Sequence, residues 1–548
     1  MELVLSEENN KNLNRILMGS RVAQIDKMAI ESGIDSKWLM KNAGTGMARE
    51  IISHYKDSKP KRAPRGTVVC GGGNNGGDGF VIALHLLEMG YGINVYHIVP
   101  PEKFSPDSSH YYNELKSKYP KSIQQIAPDK TGSMAKELEK SDLIVDAIFG
   151  TGLHKGPIRR PASDIIKMIN NASTKSEGPR IYSVDIPSGI DSDNGQVLGD
   201  AVKADHTITF GCKKMGNINY PGASYNGRLS VIDIGIPQEY FGKFEKIFEP
   251  TLEWVSGMIP QKEAWTYKHR VGQLLVIAGS LGFTGAAAMT CMGALRSGAG
   301  LVTLVCPEEL NGIMEEKLTE VITYPVKQTE MASIHFDSLE EILELSEGMD
   351  AVAIGPGISR DPSTIHLVRE LVKKIKIPAV LDADGLQALV GPHKIGEEID
   401  NGFHNLVITP HAGELCSIMG LEKIDLSQRL DINKDASRNF GAVSVLKGAA
   451  TITTGIEDGK QVSYINPTGN WGMASAGTGD ILTGIIGSLL GQGMKPLHAA
   501  VCGTYIHGLA ADIMIRKTSR TSLIATDLLE GIKEVFLQIE KIKYKKEE

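Results

Sequence analysis

The chain of 548 residues is too long for a single hydrophobic core, and its length suggests two or three domains. A hydrophobic content of 41%, a charged content of 22% and a net charge of −7 are ordinary for a globular protein and argue against a nucleic-acid partner. No apolar run approaches the ~20 residues of a membrane-spanning helix, and the polar N-terminus lacks a signal-peptide core. The cysteines form no C-x-x-C pair, so we expect buried thiols and a cytoplasmic protein. The histidines form no H-E-x-x-H motif.

The first half of the chain has a βαβ pattern with a glycine loop at its first turn. Residues 20–55 predict two helices, residues 66–70 a strand, residues 80–87 a helix, and residues 93–99 the next strand. The loop at residues 71–79 matches G-x-G-x-x-G. A dehydrogenase loop requires an acidic residue at the end of the second strand, where Pro100 and Pro101 stand instead.

Two later strands of this half end in aspartate. Asp146 follows the predicted strand at residues 143–145, and Asp185 follows the one at residues 181–184. Strands near residues 207–210 and 229–234 complete a parallel sheet. Because the carboxyl ends of parallel strands meet at one edge, we expect both aspartates to lie close to the loop at residues 71–79, which carries two asparagines. Together they would form a ligand site. A lone acid at a strand end is often only a helix cap, but the glycine loops favour a site.

Three motifs of this half resemble the NAD(P)H-hydrate epimerase domain. They are Asn-Asn-Gly-Gly-Asp-Gly at residues 74–79, Asp-x-x-x-Gly-Thr-Gly at 146–152 and Val-Asp-Ile-Pro-Ser-Gly at 184–189. The resemblance implies a potassium ion held by Asn75, Asp146 and Ser188, and a contact between Asp185 and the hydrated nicotinamide. Hard oxygen ligands suit a hard cation, so the residue types agree with this role.

The same resemblance assigns substrate binding to two loops. The first loop consists of Asn74, Asn75, Gly76, Gly77 and Asp78, and the second consists of Gly150, Thr151, Gly152, Leu153, His154, Lys155 and Gly156. Lys155 would supply positive charge at the pyrophosphate end. The family's usual Leu-Met-Glu-Asn-Ala-Gly segment carries Lys41 in place of the glutamate, so we assign no role to that segment.

A stretch rich in proline and glycine at residues 236–262 predicts a domain boundary, with one domain at residues 1–242 and the other at 250–548. After it, strands are predicted at residues 273–278, 301–305, 351–354, 379–382, 405–409 and 442–446. They alternate with helical patterns, which indicates a mostly parallel α/β sheet.

The loop at residues 470–480 is the strongest candidate site of the second half. A strand at residues 461–465 precedes it, and a helix is predicted to begin near Gly477. Free backbone N–H groups at a helix N-terminus form an anion site, most simply for a phosphate. Asp480 in the first turn could act as a base beside that phosphate. The alternative is a tight loop followed by an ordinary acidic residue.

The Ala-Gly-Thr-Gly-Asp string at residues 476–480 resembles the catalytic loop of the ribokinase-like superfamily. Further motifs occur in the order of the nucleotide-dependent NAD(P)H-hydrate dehydratase: Phe-Thr-Gly-Ala-Ala at 283–287, Gly-Pro-Gly at 355–357, Leu-Asp-Ala-Asp-Gly at 381–385, Thr-Pro-His-Ala-Gly-Glu at 409–414 and Lys-Gly-Ala at 447–449. The resemblance implies that the hydrate contacts Ala286, Gly357, His411 and Asp480. It assigns nucleotide binding to Lys447, Gly448, Ala449, Ala450, Thr451, Asn470, Gly472, Met473, Ala474, Ser475, Ala476, Gly477, Thr478 and Gly479.

Simpler interpretations of these residues remain open at the level of sequence. His411 could be a packed or exposed loop residue, although Pro410 and Gly413 beside it favour a site. Lys447 could be a solvated lysine at a strand end. Asp382 and Asp384 could be structural, and we leave both out of the predicted catalytic set.

The sequence thus predicts an N-terminal Rossmann-like parallel-sheet sandwich and a C-terminal ribokinase-like α/β domain, together forming a bifunctional repair enzyme for hydrated NADH and NADPH. The first domain would interconvert the R and S hydrates at C6 with Asp185 as acid-base group. The second would dehydrate the S hydrate with Asp480 as base, ADP as donor and Mg²⁺ bound with it, giving AMP and phosphate. We also expect a homo-oligomer. The alternative is a small-molecule kinase of vitamin metabolism joined to a non-catalytic binding module.

Overall fold

A computed structural model describes residues 13–57, 62–126, 131–153, 156–173, 178–262, 265, 271–391 and 405–544. It divides into two compact units, Arg15–Glu245 and Lys246–Glu548, the second of which also includes Asn14. The division falls within the stretch where the sequence predicts a boundary. Each unit is described separately below.

The N-terminal unit is built on a seven-stranded parallel sheet. In spatial order its strands are Ile123–Gln125, Gly92–His97, Arg65–Cys70, Leu143–Ala147, Arg180–Val184, His206–Phe210 and Arg228–Ile232. The chain order reverses between Arg65–Cys70 and Leu143–Ala147. In open parallel sheets ligands bind at the carboxyl ends of the strands beside such a reversal. The predicted parallel sheet is therefore confirmed.

Helices cover both faces of this sheet, since neighbouring strand residues such as Val68 and Val69 belong to different hydrophobic clusters. The α-helices are Gly19–Glu31, Ser36–Asp57, Asn74–Glu88, Pro106–Lys118, Thr131–Lys140, Ala162–Ala172, Met215–Ile218 and Gln238–Phe241. Short 3₁₀ segments lie at Pro101–Lys103 and Gly222–Tyr225. The strand Leu13–Leu17 pairs in parallel with Lys213–Lys214.

The loop at residues 71–79 is shorter than predicted, because the helix expected from residue 80 already begins at Asn74. Its glycines allow close packing. A Cβ at Gly76 would lie 2.1 Å from the carbonyl oxygen of Gly71, and one at Gly79 would lie 2.6 Å from the Cβ of Ala147. The first helical turns therefore press directly against the strand ends, and two expected loop glycines serve packing.

The C-terminal unit contains ten sheet strands. In spatial order they are Ile322–Val326, Leu301–Pro307, Gln273–Ile277, Ala351–Ile354, Ala379–Leu381, Leu406–Ile408, Val443–Leu446, Ile452–Glu457, Lys460–Ile465 and Lys246–Pro250. The strand Ile452–Glu457 is antiparallel to both neighbours, whereas the other pairs are parallel. The mostly parallel sheet is confirmed, and the sequence analysis missed three of its strands: Ile322–Val326, Ile452–Glu457 and Lys246–Pro250.

Helices of the C-terminal unit also pack on both faces of the sheet. They are Leu252–Met258, Thr284–Arg296, Asn311–Lys317, Leu339–Ser346, Pro362–Lys374, Ala412–Met419, Arg429–Phe440, Thr478–Gly491, Pro496–Met514 and Ala525–Tyr544. Short 3₁₀ segments are Glu308–Leu310, Phe336–Ser338, Ala383–Leu389, Leu426–Gln428 and Trp471–Met473. In the described part of the chain no helix is both long and apolar enough to cross a membrane.

The Thr478–Gly491 helix lies in the centre of the C-terminal unit and is buried along nearly its whole length. It approaches the Thr284–Arg296 helix through small residues. A Cβ at Gly484 would lie 2.0 Å from the carbonyl oxygen of Thr290, and one at Gly293 would lie 2.7 Å from the carbonyl oxygen of Ile481. This contact fixes the helix that carries Asp480. The six cysteines are free, and all but the half-buried Cys416 are buried, as expected.

Candidate active sites

The N-terminal unit has a cavity of about 930 Å³ at the carboxyl edge of its sheet. Its wall includes Asn74 and Asn75 at the start of their helix, the loop from Gly150 to Leu153, and Asp185. The structure therefore brings the asparagine motif and one strand-end aspartate together, as the topology requires. His154 and Lys155 lie outside the described residues. Gly156 packs against Leu198, and a Cβ there would lie 2.9 Å from the Leu198 Cβ.

Asp185 is held in one orientation by three donors to a single oxygen. Its Oδ1 accepts hydrogen bonds from Lys214 Nζ at 2.5 Å, Thr209 Oγ1 at 2.9 Å and the Phe210 backbone N–H at 3.1 Å. Within the described residues no donor lies at hydrogen-bonding distance from Oδ2. The backbone of Asp185 has a φ of 66°, in the left-handed region that aspartate enters more readily than most residues.

Lys214 is the cation of this site, and the sequence analysis missed it. Its ammonium group is fully buried and donates to Asp185, to Thr209 Oγ1 at 2.9 Å and to the Phe210 carbonyl oxygen at 2.8 Å. All three ammonium donors are thereby used. The signal in the sequence is a lysine close behind the strand His206–Phe210, which ends at the same sheet edge as Asp185.

Further carboxyl groups line the same cavity, namely Asp26, Glu31, Asp78 and Asp107. Burial raises the pKa of Asp78 well above its ordinary value, and the nearby charges of Asp185 and Asp26 raise it further. Burial also raises the pKa of Asp26 to about 6, with Lys214 acting to lower it and Asp185 to raise it. The charges of Asp185 and Lys214 thus act on the protonation of both Asp78 and Asp26.

The predicted potassium ligands Asp146 and Ser188 lie in contact behind the cavity wall. Ser188 donates through Oγ to Asp146 Oδ1 at 2.5 Å and through its backbone N–H to Oδ2 at 2.9 Å. Ser183 Oγ donates to Asp146 Oδ2 at 2.8 Å. Asp146 is fully buried, and burial raises its pKa in spite of these donors. Asn75 lies beside Gly150, and its buried Nδ2 has no partner among the described residues.

In the C-terminal unit, the glycine loop is held by its own side chains and by Asp512. Asn470 Oδ1 accepts from the Gly472 backbone N–H at 3.0 Å, and Asn470 Nδ2 donates to Asp512 Oδ1 at 2.8 Å. Gly477 adopts a φ of 87° immediately before the Thr478–Gly491 helix. This left-handed turn leaves the helix N-terminus, with its free backbone N–H groups, accessible to an anion.

Asp480 stands beside an ion-pair network at the carboxyl edge of the sheet. Lys447 Nζ lies 2.6 Å from Asp382 Oδ1 and 3.8 Å from Glu414 Oε2, while Thr483 Oγ1 donates to Asp382 Oδ2 at 2.6 Å. Burial raises the pKa of Asp480 to about 6; Asp382 and Glu414 act to raise it and Lys447 to lower it. Asp480 is therefore a carboxylate that changes protonation close to neutral pH.

Lys447 differs from the simpler interpretation of the sequence, whereas the buried, ion-paired Asp382 is compatible with the structural role left open for it. Lys447 forms a largely buried ion pair with Asp382, and it is not a solvated lysine. Asp382 is 1% exposed and ends the strand Ala379–Leu381, next to its 3₁₀ segment. Its position beside Asp480 was not predicted, although a strand-end aspartate was the signal used for Asp146 and Asp185.

The predicted hydrate contacts lie at the same edge. A Cβ at Gly357 would lie 3.0 Å from the Cβ of Ala286, so these two positions adjoin. His411 is exposed and caps the Ala412–Met419 helix, since its Nδ1 accepts from the Glu414 backbone N–H at 3.1 Å. Glu414 also neighbours Lys447, which links His411 to the Asp480 network.

The predicted nucleotide segment after Lys447 is a tight turn. Gly448 and Ala450 adopt φ values of 142° and 52°, and Thr451 Oγ1 donates to the Gly448 carbonyl oxygen at 2.9 Å. Buried Arg429 donates to the Ala449 carbonyl oxygen at 2.7 Å. Among the described residues His507 Nε2 is buried without a partner, and burial lowers the pKa of His507 to about 4. With His507 neutral, the positive charge of this region comes from Lys447 and Arg429.

Comparison with known proteins agrees with both units. A family model described as NAD(P)H-hydrate dehydratase matches residues 274–534, and one described as YjeF-related protein N-terminus matches residues 36–216. A crystal structure titled as an ADP/ATP-dependent NAD(P)H-hydrate dehydratase from Bacillus subtilis, co-crystallised with ATP and Mg²⁺, is 28% identical. It covers 53% of this chain and 97% of its own, with a TM-score of 0.44.

Relatives named bifunctional NAD(P)H-hydrate repair enzyme match nearly the full length. The protein from Moorella thermoacetica is 38% identical over 96% of this chain and 97% of its own length. Those from Thermofilum pendens and Escherichia coli are 35% and 33% identical over 93% and 91% of this chain, and over 94% and 89% of their own lengths. With both sites formed by the matching segments, the chain belongs to the family of bifunctional NAD(P)H-hydrate repair enzymes.

Proposed function

We propose that the chain restores hydrated NADH and NADPH in two steps, epimerisation of the R and S hydrates in the N-terminal unit and ADP-dependent dehydration of the S hydrate in the C-terminal unit. The observation that carries this proposal is the pairing of two separate carboxylate sites with full-length similarity to bifunctional repair enzymes. Each site combines a strand-end aspartate, a lysine and a loop rich in small residues.

In the dehydration step Asp480 takes the proton from the C6 hydroxyl of the hydrate. The hydroxyl oxygen attacks the terminal phosphorus of ADP, so that a new P–O bond forms and AMP leaves. Phosphate then departs from C6 with the C6–O electrons, the ring nitrogen lone pair supports the positive charge, and loss of a proton from C5 restores the double bond. Positioning and electrostatic stabilisation supply most of the acceleration in phosphoryl transfer.

The nucleotide would bind between the glycine loop and the turn after Lys447. Backbone N–H groups from Gly477 to Gly479 would receive the terminal phosphate, and Lys447 would offset its charge. Ala286, Gly357 and His411 would contact the hydrate. The small side chains and the left-handed Gly477 support this assignment because they leave the helix N-terminus open.

Mg²⁺ would accompany the nucleotide and supply Lewis-acid stabilisation of the phosphate charge. It favours phosphate and water oxygens with one or two carboxylates, and the carboxylates at this edge fit that requirement. The described residues contain no group of three histidine, cysteine or acidic side chains able to hold a metal ion alone. Binding through the nucleotide is therefore the arrangement we propose.

For the epimerase site we propose Asp185 as an acid-base residue and Asn75, Asp146 and Ser188 as potassium ligands. The oxygens of Asp146, Ser188 and the Phe149 carbonyl, which is 3.2 Å from Ser188 Oγ, form a hard donor set. Turning the unpartnered Asn75 amide over would add a further oxygen. A cation there would offset the buried charge of Asp146 and hold the substrate loop.

The loops Asn74–Asp78 and Gly150–Gly156 are the proposed cradle of the hydrate, with Asn74, Asn75 and Asp78 lining the cavity directly. Gly76 and Gly77 would contribute by allowing close packing of their helix. We also propose a homo-oligomer in the cytoplasm. The reduced thiols support the reducing compartment.

Purified protein mixed with chemically hydrated NADH and either ADP or ATP tests the function. Recovery of the nicotinamide absorbance band, with one phosphate released per NADH, is the expected result. Accumulation of a stable phosphorylated product without NADH would instead identify a small-molecule kinase. Complete recovery from a mixture of epimers, rather than a halt at one fraction, reports the epimerase.

A further inference from the structure

Asp26 faces the epimerase cavity from an element that the sequence analysis did not connect with function. It lies on the Gly19–Glu31 helix, where Val22, Asp26 and Ile30 line the cavity at intervals of four residues. Such spacing places side chains on one helical face. Among the described residues the Asp26 carboxyl has no hydrogen-bond partner and no ion pair closer than 4 Å.

The start of this helix is fixed against the segment that follows Asp185. The Ser20 backbone N–H donates to Asp193 Oδ1 at 2.8 Å, and a Cβ at Gly19 would lie 2.0 Å from Ser192 Oγ. The helix therefore approaches this segment as closely as glycine permits. Asp26 is held two turns further along, within the electrostatic influence of Asp185 and Lys214.

Asp185 by itself is suited to only half of an epimerisation. Its Oδ1 is occupied by three donors, one of them the buried Lys214 ammonium. Its Oδ2 is left to act as a proton acceptor. Inversion at C6 also requires a proton donor, and the donor and acceptor must exchange roles for the reaction to run in both directions.

Among the carboxyl groups that line the cavity, Asp78 and Asp26 are the two on which the charge of Asp185 acts. Both line the cavity, but Asp78 is 9% exposed and burial raises its pKa well above its ordinary value, whereas Asp26 is half-buried. The pKa of Asp26 is about 6, so Asp26 both gains and loses a proton near neutral pH.

We propose that Asp26 is the second acid-base residue of the epimerase and acts in concert with Asp185; this proposal rests on the epimerase function proposed above. As one carboxylic acid donates its proton, the C6–O bond breaks, water leaves and the ring nitrogen lone pair forms the C6=N1 bond. Water then adds to the opposite face of C6 and gives its proton to the other carboxylate. The reverse reaction exchanges the two roles.

The test uses the full-length protein without nucleotide, so that dehydration cannot proceed, and a single purified epimer of hydrated NADH. Chromatography follows the approach to the epimer equilibrium. We expect Asp26→Asn to lower the rate constant at least ~100-fold, with KM little changed, and Asp26→Glu to retain part of the rate. Glu88→Gln, outside the cavity wall in an exposed ion pair with Lys118, is the control and should behave as wild type.

A pH profile separates chemistry from support of the fold. The charged groups facing Asp26 are Lys27 and Glu31 on its own helix and Asp78, Asp107, Asp185 and Lys214 across the cavity. Wild-type epimerisation should change through about pH 6, and this inflection should be absent from the residual rate of Asp26→Asn.

Two results would overturn the proposal. A rate for Asp26→Asn within ~3-fold of wild type would exclude Asp26, and a larger loss in Asp78→Asn than in Asp26→Asn would transfer the role to Asp78. Failure of the wild-type protein to equilibrate the epimers is a different outcome, because it rejects the epimerase function itself. Dehydration of the S hydrate with ADP should be unchanged in all of these variants.

Discussion

Each unit buries a lysine against an aspartate at the end of a parallel strand, yet the two pairs have different roles in the proposed chemistry. In the N-terminal unit Lys214 lies 2.5 Å from Asp185, which is itself the proposed catalytic group. In the C-terminal unit Lys447 lies 2.6 Å from Asp382, and the proposed base Asp480 stands outside the pair. The same two residue types therefore hold a reacting carboxylate in one site and border it in the other.

The difference shows how neighbouring charges determine which carboxyl group can exchange a proton. A carboxylate paired directly with a buried ammonium is stabilised in its charged form. Among the described residues Asp480 has no such partner, and burial, followed by the charge of Asp382, raises its pKa to about 6. It can accept a proton at neutral pH and release it again. In the N-terminal unit burial likewise raises the pKa of Asp26 to about 6.

The largest expected effect comes from removing the unpaired base. Asp480→Asn should lower dehydration ~10²–10⁴-fold and leave nucleotide binding largely intact, because the backbone N–H groups of the loop remain. Turnover is followed by the NADH absorbance and binding by calorimetry. Asp384→Asn, at the same edge and paired with Arg360, is the control. Near-normal turnover by folded Asp480→Asn would remove Asp480 from the mechanism.

The second prediction removes the paired carboxylate of the other site. Asp185→Ala should stop epimerisation and leave dehydration of the S hydrate untouched, so that a mixture of epimers is restored in one fast fraction and then stalls. Asp185→Asn accepts the same left-handed backbone and controls for strain. If either variant runs to completion faster than spontaneous epimerisation, then Asp185 is not required.

A smaller effect is expected when the neighbour of the unpaired base is neutralised. Asp382→Asn removes a negative charge that raises the pKa of Asp480 and frees Lys447, which lowers it. Dehydration requires ionised Asp480, so the rate falls as pH drops below about 6 in the wild type. In the variant this acidic limb should move down by ~1 pH unit. An unmoved limb in a rate profile at saturating ADP would contradict the coupling.

The smallest effect is expected from separating the units. Residues 15–245 and 246–548, cut where the compact units divide, should each keep their activity within ~3-fold of the full-length protein. The cut retains the strand Lys246–Pro250, which pairs with Lys460–Ile465. A cut at residue 250 provides the comparison and should destabilise the C-terminal fragment. Loss of both activities after the first cut would show that the sites depend on each other.

The sequence was informative where a motif and the sheet topology coincide. The ends of strands locate Asp146 and Asp185, and the glycine loop locates Asp480, because parallel strands bring their carboxyl ends to one edge. Residues such as Lys214 and Asp26 escaped prediction for a physical reason. A lone lysine after a strand or an aspartate on an amphipathic helix is normally solvated, and only the tertiary packing decides that it is buried.

The predicted start of the Asn74–Glu88 helix was wrong for a related reason. Glycine and asparagine have low helix propensity, so residues 74–79 favour a loop when they are considered alone. Tertiary packing overrides that preference, since only glycine fits against Gly71 and Ala147. The sequence left open whether Lys447 lies in a site or at the surface, because its distance to Asp382 is set by the tertiary fold.

The left-handed backbone at Asp185, with its φ of 66°, narrows the evolutionary paths open to this position. Glutamate, the substitution that preserves a carboxylate, fits this conformation less well than aspartate. Asparagine and glycine suit the backbone, and each is one base change away from an aspartate codon, but neither carries a titratable group. With the role proposed above for Asp185, asparagine or glycine at this position would keep the backbone conformation and remove epimerisation while dehydration continues.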